Sequence, residues 1–110
     1  MSVTSDRIQG KVCVVTGAAK SIGFAIAEKY AQSGAKVVLI DIDPLVEASA
    51  KSLADKGYTA KAYVLNITNR DAVLKCFEDI TATYGDVYAL VNNAGVVDTR
   101  PFEENDEAIL

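Results

Sequence analysis

The sequence predicts an α/β fold: an open sheet of parallel strands wound with helices on both faces. Three observations carry that expectation. Four short strand-like runs alternate with three amphipathic helical stretches. Most of the strand-like runs are apolar throughout, as expected where helices cover both faces of a sheet. Glycine, proline, asparagine and aspartate gather at the junctions between the runs.

Residues 1–10 form a polar lead-in, with Ile8 placed to tuck against the sheet and Gly10 turning the chain into the first strand. Lys11 to Thr16 is that strand, with Val12, Cys13, Val14 and Val15 in one run. The turn from Gly17 to Gly23 carries no bulky side chain before Lys20. Ile22 to Ser33 reads as a helix with Ile22, Ala25, Ile26 and Tyr30 along its core-facing side, stopped by Gly34. Lys36 to Ile40 is a second buried strand, closed by Asp41. Asp43 is the expected N-cap of the next helix and Pro44 its first residue. Val46, Ala50 and Leu53 give that helix one apolar stripe, and Lys56-Gly57 ends it.

Thr59 to Leu65 alternates more, with Ala60, Ala62 and Val64 on one side, which suits a strand near a sheet edge. Thr68 or Asn69 caps a helix over 70–84, whose stripe is Val73, Phe77, Ile80 and Tyr84 with Leu74 alongside. Gly85-Asp86 breaks it. Val87 to Val91 is a fourth buried strand, with Asn92-Asn93-Ala94-Gly95 at its carboxyl end. Residues 96–102 read as a loop, and Glu103 to Leu110 as the first turns of another helix. The order βαβαβαβ implies strand order 3-2-1-4, with the sheet changing direction between strands 1 and 4.

That direction change is where an open sheet of this type places a ligand, across the carboxyl ends of its strands. Gly17 to Gly23, Asp41, Asn66 and Asn92 to Gly95 all fall on those ends. A small-residue turn running into a helix leaves backbone N–H groups at the positive end of the helix dipole, which suits a pyrophosphate. Asp41 lies 24 positions after Gly17 and 18 after Gly23, the range in which an acid accepts the hydroxyls of an adenosine ribose. On the plainer reading, the glycines and alanines only pack the helix on the sheet and Asp41 ends a strand.

Composition narrows the classes. The 110 residues are 50% hydrophobic and 24% charged with a net charge of -4, ordinary for a globular chain. The 11 Lys and Arg residues are scattered, so no nucleic-acid partner is expected. No apolar run is long enough to span a bilayer, and no membrane partner is expected. The opening MSVTSDRIQG lacks the apolar core of a secretory signal, so a cytoplasmic setting is expected. Two cysteines make no disulfide framework and read as buried or half-buried thiols. With no His and no metal-ligand cluster, neither a histidine base nor a metal site is expected.

Thr16-Gly17-Ala18-Ala19-Lys20-Ser21-Ile22-Gly23, Asp41, Asn66 and Asn92-Asn93-Ala94-Gly95 together resemble the N-terminal cofactor half of a classical short-chain dehydrogenase/reductase. The resemblance covers nearly the whole chain and implies a Rossmann-like doubly wound sheet, truncated to its first four strands. It implies cofactor contacts at Gly17, Lys20, Ser21, Ile22, Gly23, Asp41, Ile42, Asn66, Ile67, Asn93, Ala94 and Gly95. Gly17 opens the turn, the position of Ser21 lets the backbone approach the pyrophosphate, and Gly23 lets the helix sit close to the sheet. The family pattern wants glycine where this chain has Ser21; if that position needs positive φ, serine costs about 1 kcal/mol. Asp41 matches the acid that selects NAD over NADP, so NAD is expected ahead of NADP, although Lys20 resembles the phosphate-binding residue of NADP-dependent relatives. Asn66 stands where the family has an Asp that accepts a hydrogen bond from the adenine amino group, with Ile67 beside the base. Asn92 and Asn93 match the pair that ties the fourth strand to its neighbours, and Ala94 and Gly95 pass beneath the nicotinamide-side ribose.

The family's catalytic tyrosine, the lysine four residues after it, its serine and its water-relay asparagine have no counterparts here. No tyrosine of this chain is followed by lysine at that spacing. The chain is therefore expected to be the cofactor-binding part of an NAD-dependent oxidoreductase acting on an unidentified alcohol/carbonyl pair, homo-oligomeric in its full form. Two other readings stand beside it: a non-catalytic dinucleotide-binding half-domain, and an association module using the edge of the fourth strand. Alone, the 110 residues are expected to show no dehydrogenase turnover; an NAD-dependent rate from the purified chain, free of contaminating enzyme, contradicts this.

Overall fold

The computed structural model describes residues 8–93. They run β1 (Val12–Thr16), α1 (Ser21–Gln32), β2 (Lys36–Asp41), α2 (Leu45–Ala54), β3 (Ala60–Val64), α3 (Arg70–Tyr84) and β4 (Val87–Asn92). The strands are parallel and ordered β3-β2-β1-β4, as expected. Thr16 pairs with Ile40 on one side and Asn92 on the other, while Asp41 pairs with Val64. The carboxyl ends of all four strands therefore finish along one edge. The expected loop over 96–102 and the expected helix over 103–110 lie outside the described residues, as do Ala94 and Gly95.

Strand alternation divides the core in two. Cys13, Val15, Val37 and Leu39 face α1 and α2, packing with Ala27, Ala31, Val46 and Leu53. Val12, Val14, Val38 and Ile40 face α3, packing with Cys76 and Ile80. Ile8 joins the first cluster, as expected from the lead-in.

The sheet-facing side of α1 differs from the expected one. Its buried positions are Gly23, Ala27 and Ala31, whereas Ile22 is 68% exposed and Ala25 is exposed. The cause is proximity. A Cβ on Gly23 would overlap the Gly17 carbonyl oxygen and lie 2.8 Å from Asn93 Nδ2. A helix that close to β1 has room only for small residues below it, and the larger Phe24, Ile26 and Tyr30 flank the contact.

On α2, Val46, Ala50 and Leu53 are buried as expected, joined by Ser49. The helix starts at Leu45 with Pro44 in the capping position; the expected cap, Asp43, acts one residue earlier and accepts the Leu45 N–H at 2.9 Å. On α3 the cap is Asn69, whose Oδ1 accepts the Ala72 N–H at 3.1 Å, while Thr68 serves the preceding turn. Cys76 and Ile80 are the fully buried residues of α3, and Leu74 is 55% exposed, off the expected stripe. β3 is an edge strand, as expected. β4 is half-buried rather than buried, because among the described residues it pairs only with β1. Its register shifts between Val12 and Cys13, leaving Tyr88 exposed with Lys11 Nζ 5.4 Å from the ring centre.

Cys13 and Cys76 are free and buried on opposite faces of the sheet. Burial pushes the Cys76 thiol up to about 11, with Asp79 adding to the effect, and raises Cys13 as well. Both stay neutral at ordinary pH, as unreactive core thiols do. Burial also raises the Tyr63 hydroxyl, and so does its hydrogen bond to Asp79.

Ser21 has φ 58, the one described residue besides glycine in the left-handed region. The position does require positive φ, and serine pays for it. Ser21→Gly is therefore expected to raise stability by about 0.5 to 1 kcal/mol in urea denaturation, the relief being offset in part by a freer unfolded chain. Gly23→Ala is expected to act in the opposite direction. It forces the helix off Gly17 and should lower stability by ~3 kcal/mol, with the helical circular dichroism signal lost at lower denaturant.

Candidate functional site

The turn between β1 and α1 hangs on the end of β2. The Ala18 N–H donates to the Ile40 carbonyl at 3.2 Å, and the Ala19 N–H donates to Asp41 Oδ2 at 3.0 Å. The other carboxylate oxygen of Asp41 accepts the Asp43 N–H at 3.0 Å. An ionised carboxylate offers about four acceptor positions, so roughly half of this one's capacity remains for a ligand. Asp41 is half-buried at the strand end, and Ile42 beside it is 63% exposed.

The carbonyl of the same Ala19 is held from the opposite side. Ser49 of α2 donates its hydroxyl to it, with the Leu45 carbonyl at 3.2 Å as a second acceptor. Sequence reasoning missed Ser49, since a lone serine within an apolar helical stripe gives no signal of what it meets across the fold.

The start of α1 carries no acid and no side-chain cap. Lys20 occupies the cap position with extended backbone, makes no side-chain capping bond, and is followed by no acid in the first turn. The other two helices differ: Asp43 and Glu47 lie at the start of α2, Asn69 and Asp71 at the start of α3. The first N–H groups of a helix have no intrahelical acceptor. At α1 no side chain caps them, and Lys20, Ser21 and Ile22 around them are exposed.

A polar latch joins this turn to β4. Thr16 Oγ1 donates to Asn92 Oδ1 at 2.9 Å and accepts the Asn93 N–H at 3.0 Å. Asn93 Nδ2 donates to the Gly17 carbonyl at 3.2 Å. The tie expected of the two asparagines is thus present. Asn66, at the end of β3, is exposed, and its Oδ1 accepts both the Thr68 N–H at 2.9 Å and the Thr68 hydroxyl at 2.7 Å. Its side chain builds the turn into α3, and Ile67 is half-buried next to it.

The structure thus brings Gly17, Gly23 and Asn93 together, with Asp41 bonded to the same turn through Ala19 and with Lys20, Ser21, Ile22 and Ile42 exposed around them. Asn66 and Ile67 stand at the end of the edge strand. On the α3 side a cleft of about 440 Å3 opens from Thr16 and Asn92 towards Ile67, Val73 and Phe77. Among the described residues no cluster of three or more metal-binding side chains occurs, and no helix is long and apolar enough to cross a membrane.

Comparison with known proteins agrees with this geometry. Residues 11–109 match the short chain dehydrogenase family. Among curated relatives, the sorbitol dehydrogenase of Cereibacter sphaeroides is 36% identical over 89% of this chain and 38% of its own length. The 3-oxoacyl-(acyl-carrier-protein) reductase FabG of Thermotoga maritima is 40% identical over 94% of this chain and 44% of its own. Among solved structures, a metagenomic short-chain oxidoreductase in complex with NADP superposes with a TM-score of 0.75 at 34% identity, covering 93% of this chain and 49% of that one. The chain therefore spans less than half the length of these relatives. With the turn, the strand-end acid and the asparagine latch all in place, it belongs to the short-chain dehydrogenase family.

Proposed function

We propose that this chain is the dinucleotide-binding part of an oxidoreductase that uses NAD, in preference to NADP, to interconvert an alcohol and a carbonyl compound. The observation that carries the reading is the Asp41 carboxylate, held by the Ala19 and Asp43 N–H groups beside the uncapped start of α1. This donor and acceptor set fits a dinucleotide. The N–H groups of Ser21, Ile22 and Gly23 take the pyrophosphate, with Lys20 adding positive charge. The spare acceptor positions of Asp41 take the two hydroxyls of the adenosine ribose. Ile42, Asn66 and Ile67 flank the adenine, while Asn93, followed by Ala94 and Gly95, shapes the side nearer the nicotinamide.

The nicotinamide, when bound, supplies the carbon that accepts or returns a hydride. The residues of this chain hold and orient; the proton transfer that accompanies hydride movement is assigned to residues outside these 110.

Cofactor choice follows from charge. A carboxylate that accepts a 2′-hydroxyl also faces the place of a 2′-phosphate, and like charges at that range repel strongly. Lys20 works in the other direction, but it is exposed and free to move, whereas Asp41 is held by two backbone donors. Calorimetric titration is expected to give NAD an affinity about tenfold or more above that of NADP, and Asp41→Asn is expected to remove most of that difference. Tighter binding of NADP to the unaltered protein overturns the preference.

A further inference from the structure

We propose that Ser49 is a positioning residue for ribose recognition: from α2, it fixes the Ala19 carbonyl and so the backbone of Ala19, whose N–H keeps Asp41 aimed at the adenosine 2′-hydroxyl. The inference rests on the dinucleotide reading above and goes beyond it to a residue that contacts no part of the ligand.

Thr16 and Ser49 are the buried polar side chains among the described residues, at 5% and 9% exposure; Thr16 bonds the end of β4, and Ser49 bonds this turn. Burying a hydroxyl is unfavourable unless it is bonded. On α2 its neighbours Val46, Ala50 and Leu53 are plain core residues, so packing alone gives no reason for a serine. Its bond to the Ala19 carbonyl supplies one. The two peptide groups that meet at Ala19 are then each held: the Ala18–Ala19 peptide through its N–H by Asp41, and the Ala19–Lys20 peptide through its carbonyl by Ser49. Ala19 is itself only 4% exposed, so its carbonyl depends on partners within the fold.

The geometry runs in both directions. Ser49 acts on the Ala19 N–H through the φ and ψ of Ala19, by fixing the next peptide along the chain. Without the hydroxyl, the buried carbonyl must turn to find another donor, and the turn around it moves as well. Asp41 then keeps its charge but loses one of the two donors that set its direction. A shift of this kind weakens contact with a hydroxyl much more than general attraction to the rest of the ligand, because a hydrogen bond depends steeply on angle.

The test measures the binding of NAD and of its 2′-deoxyadenosine analogue to the protein carrying this chain. In the unaltered protein, loss of the 2′-hydroxyl is expected to weaken binding about tenfold. Ser49→Ala is expected to reduce that ratio to about twofold while the analogue itself binds nearly as before, and Ser49→Thr, which restores the donor, to return it. A change of fold stability alone would weaken both ligands together and leave the ratio untouched. An unchanged ratio in Ser49→Ala overturns the inference. Should Ser49→Ala fail to fold, Ser49→Cys, with its weaker donor, is compared with Ser49→Thr; equal ratios in that pair overturn it too. If the unaltered protein binds neither ligand, the dinucleotide reading itself fails and the inference falls with it, an outcome distinct from the others.

Discussion

A helix can approach a strand only as closely as the side chains between them allow, and at Gly23 there is no side chain. The Gly17 carbonyl occupies the space that a Cβ would need, and Asn93 closes it from the direction of β4. Much of the architecture depends on that contact. It selects Gly23, Ala27 and Ala31 as the buried side of α1, and it turns Ile22 out to solvent. It also sets the first N–H groups of α1 directly beyond the end of β1, where the strand order changes direction.

Around that contact the polar groups form one connected set. Asp41 and the Ile40 carbonyl hold the turn from β2, Ser49 holds it from α2, and Thr16 with Asn92 and Asn93 holds it from β4. Three elements distant in sequence thus converge on a few peptide groups. No buried side-chain nitrogen or oxygen among the described residues lacks a partner. That matters here because polar groups are costly inside a core when left unbonded and are rigid when fully bonded. The outer rim of the turn at Lys20, Ser21 and Ile22 is where the set opens to solvent.

How much of this was legible in the sequence varies by residue, for physical reasons. The strand order could be read because continuous apolar runs, helical stripes and the rule of right-handed crossovers leave few topologies. The demand for positive φ at Ser21 could be read as a condition, and the backbone meets it. The helical stripe Ile22, Ala25, Ile26 and Tyr30 points to one face of α1, whereas the face that is buried is Gly23, Ala27 and Ala31. The better signal was the spacing of Gly23, Ala27 and Ala31, which marks close approach rather than bulk. For Asn66 the combined motif favours a ligand role over a purely local turn cap, and its side chain bonds Thr68 two residues on, as asparagines before helices commonly do. Ser49 was illegible, since its partner, Ala19, lies 30 residues away and a stripe cannot report it.

The latch between Thr16 and Asn92 also bears on the order in which the molecule assembles. β1 meets β2 across a short crossover, Val12 beside Lys36, but it meets β4 only when residues 76 positions apart are brought together. Closing that roughly threefold longer loop costs about 1 kcal/mol more in chain entropy. The first strand pair with α1 is thus the natural nucleus, and β4 docks onto it afterwards. Until it does, Gly17 lacks its Asn93 partner and the turn is held by β2 and α2 alone. The edge formed by the strand ends is thereby among the last features to become rigid, and a nascent chain carrying only the first two strands forms the turn after β1 before β4 can brace it.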